Sequence, residues 1–240
     1  QINNKTYKKI NYKSKKGKSV DPFTYFDVKI EKIITNLIKK KYPSHSIIGE
    51  EGKDKITDSK FKWVLDPIDG TKALVLGLPT WSNLIGFCIA NKPTLGFANF
   101  PILNKYYFSD GKKTYIVQKN KKKIISCNLK NKKKNSLVVN SIQSIKNERY
   151  LKFFKNYNGL FKLSGADAYN YCLLCEGKID HIIDLELKPY DILPLIPLIK
   201  NSGGIITNIN GGENIDNGAI IVSRNNKLHN QILKAFYKKI

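Results

Sequence analysis

The chain has 240 residues, 41% of them hydrophobic, and a formal charge of +23. Length and apolar content suffice for a buried core in one domain or two fused lobes. No apolar run approaches the roughly 18 residues that span a bilayer, and the Lys-rich start lacks an apolar signal core, so a soluble cytoplasmic protein is the default.

In chain order, residues 1–20 are polar and basic and read as a helix remnant followed by a loop. From Asp27, the apolar positions Ile30, Ile33, Ile34, Leu37 and Ile38 recur at helical spacing, until Tyr42-Pro43 ends the pattern. Ile47 to Glu51 reads as a short strand running into a turn. Trp63-Val64-Leu65 is a short buried strand that stops at Asp66, and Gly70-Thr71 opens a helical turn. Leu84–Ala90, Thr94–Phe100, Tyr106–Phe108 and Thr114–Val117 form a meander, with Asp110-Gly111 as one hairpin turn. The Lys-rich runs at 119–123 and 132–134 read as solvated hairpin ends.

Beyond them strands and helices alternate. Leu137–Val139 is a strand, Asp167–Glu176 a helix and Ile179–Asp184 a strand. Asp191–Asn201 is a helix that tolerates Pro194 in its first turn, is kinked by Pro197 and is stopped by Gly203-Gly204. Gly204–Thr207 and Ala219–Val222 are strands, and Asn226–Tyr237 is a closing amphipathic helix. The order predicts a layered α/β (α+β) protein with an N-terminal lobe over 1–135 and a C-terminal lobe over 136–240. No Met occurs, even at the start. We therefore expect either a fragment whose missing N-terminal portion would add a helix, or methionines lost from the sequence as written.

Of the 42 basic residues only Arg149 and Arg224 are arginines. Nucleic-acid readers lean on Arg for bidentate contacts. The Lys excess, matched by abundant Asn and Ile, therefore reads as composition bias and disfavours nucleic acid as a partner. A positive field still attracts a small phosphorylated substrate. Cys172-x-x-Cys175 lies inside an apolar helical pattern and, with Cys88 and Cys127, reads as buried reduced thiols rather than a redox motif. His45, His181 and His229 show no ligand spacing.

The chemistry centres on Asp66-Pro67-Ile68-Asp69-Gly70-Thr71. A carboxylate at the end of an apolar strand is where α/β proteins place ligand groups. Proline stiffens the turn, so both carboxylates and the Ile68 carbonyl can converge, and such oxygen ligands suit Mg²⁺. Gly70 permits close approach of the backbone, and the N–H groups at Thr71 can hold phosphate. The plainer alternative is a capped turn with Asp69 as N-cap.

This stretch resembles the first signature of the inositol monophosphatase family. Gly49-Glu50-Glu51, Pro22 to Asp27, and Pro189-Tyr190-Asp191 with Gly203-Gly204-Ile205 resemble that family's other marks, in order, over roughly residues 20–235. The resemblance implies the αβαβα sandwich shared with fructose-1,6-bisphosphatase and a Mg²⁺-dependent phosphomonoesterase. It implies Glu50, Asp66, Asp69 and the Ile68 carbonyl as metal ligands, with Asp191 holding a second ion beside Asp66 and Asp69. Glu51 reads as an adjacent exposed carboxylate, with a third, weaker ion as the alternative. Glu50, Thr71 and Asp27 would position and deprotonate the attacking water, Gly70 and Thr71 would bind phosphate, and relatives suggest a homodimer.

Inositol-specific members carry Trp-Asp in the second signature. Tyr190-Asp191 here, with Gly70-Thr71-Lys72, Gly77 to Trp81 and Gly165-Ala166-Asp167, resembles the histidinol-phosphatase branch, although Ala166 departs from its Gly-Gly-Asp. Histidinol phosphate carries an ammonium that Asp167, helped by Asp184, could pair with; as alternatives, Asp167 is a helix N-cap and Asp184 a strand-end carboxylate. Lys188 reads as an exposed loop lysine. Competing functions are an inositol-1-monophosphatase, a 3′-nucleotide or broad small-molecule phosphatase, and a non-enzymatic RNA-associated protein.

Overall fold

The computed structural model describes residues 12–15, 21–128, 135–140, 148–215 and 218–239. Strands β1 (Tyr12–Lys15) and β2 (Asp21–Thr24) pair antiparallel. The loop reading of residues 1–20 is thus corrected at Tyr12–Lys15, where a partner strand decides a locally ambiguous sequence. The proposed helix remnant and the Lys run at 132–134 lie outside the described residues.

Helix α1 (Tyr25–Lys41) begins before Asp27 because Thr24 caps it: its hydroxyl accepts the Phe26 N–H at 3.1 Å, while the Asp27 carboxylate accepts the Thr24 N–H at 2.7 Å. This reciprocal box satisfies two otherwise orphaned donors. Of the predicted stripe, Ile30, Ile34 and Ile38 pack inward. Ile33 and Leu37 are 51% and 64% exposed, and Asp27 and Glu31 are buried instead. Two carboxylates thus share the inner face with the apolar residues.

A seven-stranded sheet runs in sequence order through β3 (Ser46–Gly49), β4 (Phe61–Asp69), β5 (Ser82–Ile89), β6 (Lys92–Phe100), β7 (Lys105–Ser109), β8 (Thr114–Gln118) and β9 (Lys121–Ile125). Only β3 and β4 are parallel. Strand β4 does not stop at Asp66. It continues to Asp69 with a register irregularity between the two, and Asn83 Nδ2 holds the Pro67 carbonyl at 2.7 Å. In the Lys run at 119–123, Lys119-Asn120 is the hairpin turn between β8 and β9, while Lys121 to Lys123 belong to the edge strand itself; lysines there discourage further strand addition.

The second sheet has the order β11-β10-β12-β14-β13, formed by β10 (Ser136–Val139), β11 (Leu160–Leu163), β12 (His181–Asp184), β13 (Ile205–Asn208) and β14 (Ile220–Ser223). Successive side chains alternate faces. Val138, Ile182, Ile220 and Val222 join the large core between the sheets, while Leu137, Val139, Ile183 and Ile221 join a second core on the far side. That second core receives Phe153 and Phe154 of α3 (Glu148–Lys155) and Phe236 of α7 (Asn226–Lys239). Helix α3 and strand β11 were not anticipated; all four β11 residues are exposed, although Leu160, Phe161 and Leu163 are apolar.

Helix α2 (Thr71–Val75) follows β4, and α4 (Asp167–Cys175) precedes β12. The predicted helix 191–201 is two helices, α5 (Pro189–Ile192) and α6 (Ile196–Asn201), because Pro194 and Pro197 lack the N–H groups that would continue the ladder. Helix α6 touches both sheets, α1 covers β4, and α7 covers β12 and β14. The layers therefore run α-β-α-β-α. Gly86 and Gly96 face each other across β5 and β6, and a Cβ on Gly96 would lie 2.0 Å from the Pro194 carbonyl oxygen. Bare backbone there lets the α5–α6 segment lie flat on the sheet, which brings α5, and with it Asp191, against β4.

All four cysteines are free and buried. His45 accepts from Trp63 Nε1 at 3.0 Å, and His181 and His229 both meet Ser223 Oγ, so each histidine has a structural partner. Among the described residues no helix is long and apolar enough to cross a membrane.

Candidate functional site

A cleft of about 1250 Å³ opens between the sheets, lined by Glu50, Asp66, Ile68, Asp69, Gly70, Thr71, Asp167, Asp184 and Asp191. Every sequence-predicted site residue except Asp27 and Glu51 lines this one space. Asp27 is fully buried behind Thr71, whose hydroxyl lies 3.3 Å from Asp27 Oδ1 and 3.0 Å from the Ile68 carbonyl oxygen. A hydroxyl has one proton, so the two acceptors compete for it.

The alternative roles for Asp69 and Asp167 do not hold. Gly70, left-handed at φ 79°, is the N-cap of α2. Asp69 instead accepts from Ser82 Oγ at 2.9 Å and from the Ala168 N–H at 3.1 Å, tying β4 to the start of α4. The N-cap of α4 is Ala166; Asp167 is its first helical residue, held at φ +30°. Its Oδ2 lies 3.3 Å from where a Cβ on Gly70 would sit. A non-glycine residue in that conformation is strained, and such strain tends to sit at functional sites. Asp184 does terminate β12, accepting from Leu185 N–H at 3.0 Å and Tyr171 OH at 3.4 Å, and also lines the cleft.

The electrostatics are those of crowded acids. Burial, then Asp69, Glu50 and Asp191, raises the Asp66 carboxyl well above the ordinary range. Asp69 is raised well above it by burial and Asp167. Burial and Asp184 and Asp191 bring Asp167 to about 7, with Lys72 opposing. Burial brings Asp184 to about 6, and burial with Asp69, Glu50 and Asp184 brings Asp191 to about 8. Asp27 is raised by burial and restrained by Thr24.

Asp66 Oδ1 is buried with no hydrogen-bond donor. A buried acceptor of this kind is costly unless something positive meets it. An all-oxygen donor set around it fits a hard divalent cation such as Mg²⁺. Among the described residues no three acidic, His or Cys side chains are already drawn into a ligand cluster; the carboxylates share a cleft and a field rather than a finished coordination shell.

Sequence reasoning missed several supporting residues. Ser82 pairs with Asp69 across β4 and β5. Asn140, at the end of β10, lines the cleft; its Nδ2 has no partner of hydrogen-bond geometry, although the amide favours the ionised form of Asp184. Neither belongs to a motif read from the sequence, although Ser82 directly follows the Gly77 to Trp81 stretch. Only the cross-strand register and the parallel pairing of β10 with β12 bring them in.

The model of the inositol monophosphatase family matches residues 2–240. The bifunctional phosphatase IMPL2, chloroplastic, of Arabidopsis thaliana is 34% identical over 80% of this chain, and the match spans 56% of that longer protein. The fructose-1,6-bisphosphatase/inositol-1-monophosphatase of Aquifex aeolicus is 29% identical over 96% of this chain and 87% of its own length. A histidinol-phosphatase of Chlorobaculum parvum is 24% identical over 89% and 83%. Among solved structures, the extragenic suppressor protein suhB of Bartonella henselae superposes with a TM-score of 0.85 at 22% identity, covering 98% of this chain and 91% of that one.

Proposed function

This chain belongs to the inositol monophosphatase family, and from that premise we propose that it hydrolyses L-histidinol phosphate to L-histidinol and phosphate in a Mg²⁺-dependent reaction. Phosphatase chemistry follows from the family itself. Histidinol phosphate as the substrate is supported by one observation: the carboxylates of Asp167 and Asp184 line the same cleft as Asp66 and Asp69. An inositol phosphate offers only hydroxyls to such acids, whereas the ammonium of histidinol phosphate would compensate them and lower their proton affinity.

We propose that Glu50, Asp66, Asp69, Asp191 and the Ile68 carbonyl would hold Mg²⁺, as two or three ions. Bound Mg²⁺ supplies charge neutralisation at phosphate oxygens and makes a water more acidic. Were the Ile68 carbonyl to serve as a metal ligand, the Thr71 hydroxyl would donate to Asp27 instead, and a Thr71 lone pair would accept from a water. Glu50 takes that water's proton as its oxygen attacks phosphorus. The ester P–O bond breaks with its electron pair on the leaving alkoxide, which takes a proton from solvent. Gly70 and the Thr71 N–H face the phosphate. The four free, buried thiols suit a reducing compartment, and we place the reaction in the cytoplasm.

Phosphate release with Mg²⁺ from histidinol phosphate, inositol 1-phosphate and a 3′-nucleotide tests this reading. Histidinol phosphate should give the highest kcat/KM; equal or better turnover of inositol phosphate would overturn it.

A further inference from the structure

We propose that Glu31 of α1 is a positioning residue that sets the loop carrying Glu50, an inference that rests on Glu50 being a metal ligand as argued above. Glu31 is 5% exposed, an unusual place for a carboxylate, and it takes no part in the reaction just described. Its Oε2 accepts the Glu51 N–H at 2.9 Å. A Cβ added to Gly49 would lie 2.5 Å from Glu31 Oε1, and one added to Gly52 would lie 2.4 Å from the same oxygen. The carboxylate is thus seated between the two glycines that bracket Glu50-Glu51.

Neither glycine has a positive φ, so conformational freedom does not explain them; space for Glu31 does. The base of the loop has its own fastening, the bridge between Ile47 and Lys55. At the crest, the backbone hydrogen bond to Glu31 ties the residue beside Glu50 to a helix. That tie holds Glu50 at the rim of the cleft where Asp66 waits. Residues outside a metal's ligand shell that orient a ligand commonly change metal affinity by about 10- to 100-fold when removed.

The test is direct binding of Mn²⁺, as a spectroscopic stand-in for Mg²⁺, to the metal-stripped full chain, together with the Mg²⁺ concentration giving half-maximal phosphate release. Glu31→Ala should weaken both by about tenfold or more, while KM for substrate at saturating Mg²⁺ stays within about twofold. Glu31→Gln keeps an acceptor for the Glu51 N–H and should retain most of the affinity. Gly52→Ala evicts the far end of a flexible side chain at an exposed position, so it should mimic Glu31→Ala alone and add nothing to it in the double variant. Wild-type Mn²⁺ affinity in Glu31→Ala, or additive losses in the double variant, would overturn the proposal. If Glu31→Ala does not fold by circular dichroism, Glu31→Gln and Gly52→Ala decide between the same outcomes. A wild-type chain that binds no divalent ion would instead remove the metal-ligand reading and this proposal with it.

Discussion

Replacing Asp191 by Asn should make the metal-stripped protein more stable at alkaline pH while destroying its activity. Burial, with Asp69, Glu50 and Asp184, moves the Asp191 carboxyl from 3.8 to about 8. The folded value lies above the unfolded one, so the folded state holds a proton that the unfolded chain has released. That contribution to stability is complete below about pH 4 and lost as the pH rises through about 8. The change spans about four decades of proton affinity at about 1.4 kcal/mol each, which caps the effect at about 6 kcal/mol. Part of it is mutual repulsion with neighbours that hold protons of their own, and interacting groups do not add, so about 2 kcal/mol is the expected gain. Asn cannot ionise yet can still accept the Lys188 N–H that Asp191 accepts at 2.6 Å. At about 2–4 °C per kcal/mol for a chain of this size, Asp191→Asn should raise the Tm by about 4–8 °C near pH 8.5 and leave it unchanged near pH 4.5. The assay is thermal unfolding in chelator across that range. Mg²⁺ at about 100 times its Kd should then stabilise the wild type by about 2.7 kcal/mol and the variant far less. Parallel pH profiles for the two proteins would refute the crowded-acid description of the site.

Asp66→Asn should abolish Mg²⁺-dependent phosphate release with an unchanged circular dichroism spectrum, because it removes the charge from the carboxylate whose buried Oδ1 has no donor; retained turnover would exclude Asp66 as a ligand. Asp167→Ala should raise KM for histidinol phosphate far more than for an uncharged ester, as steady-state kinetics on both would show, and equal effects would remove the ammonium contact. Gly96→Ala should cost about 3 kcal/mol in urea unfolding, since the new methyl meets the Pro194 carbonyl oxygen, which belongs to backbone and cannot swing aside.

Much of the site could be read in the sequence because its residues cluster in short stretches whose local geometry is self-determined. Asp66 to Thr71 is the last stretch of a strand, a left-handed glycine and a helix start, all within six neighbouring residues. The meander was legible for a similar reason: alternating strands separated by short turns are local structure. What escaped was set by tertiary contact. Strand β11 carries four exposed residues and exists because β10 pairs with it. On α1 the inward packing of Ile30, Ile34 and Ile38 was legible, whereas Asp27 and Glu31 are buried for their partners, Thr71 and the Glu50 loop, which no periodicity reveals. The break between α5 and α6 was placed too late because Pro197 was read as a kink, whereas Pro194 already rests on the glycine pair of β5 and β6.

The central claim is that this cleft is a metal-dependent phosphomonoesterase centre. Its most direct test is phosphate release from histidinol phosphate by chelator-stripped protein before and after Mg²⁺ is added. The account predicts no release before addition and release restored by Mg²⁺ in the wild type but not in Asp66→Asn. Release that is indifferent to chelation, or none from any monoester with Mg²⁺ present, would contradict it.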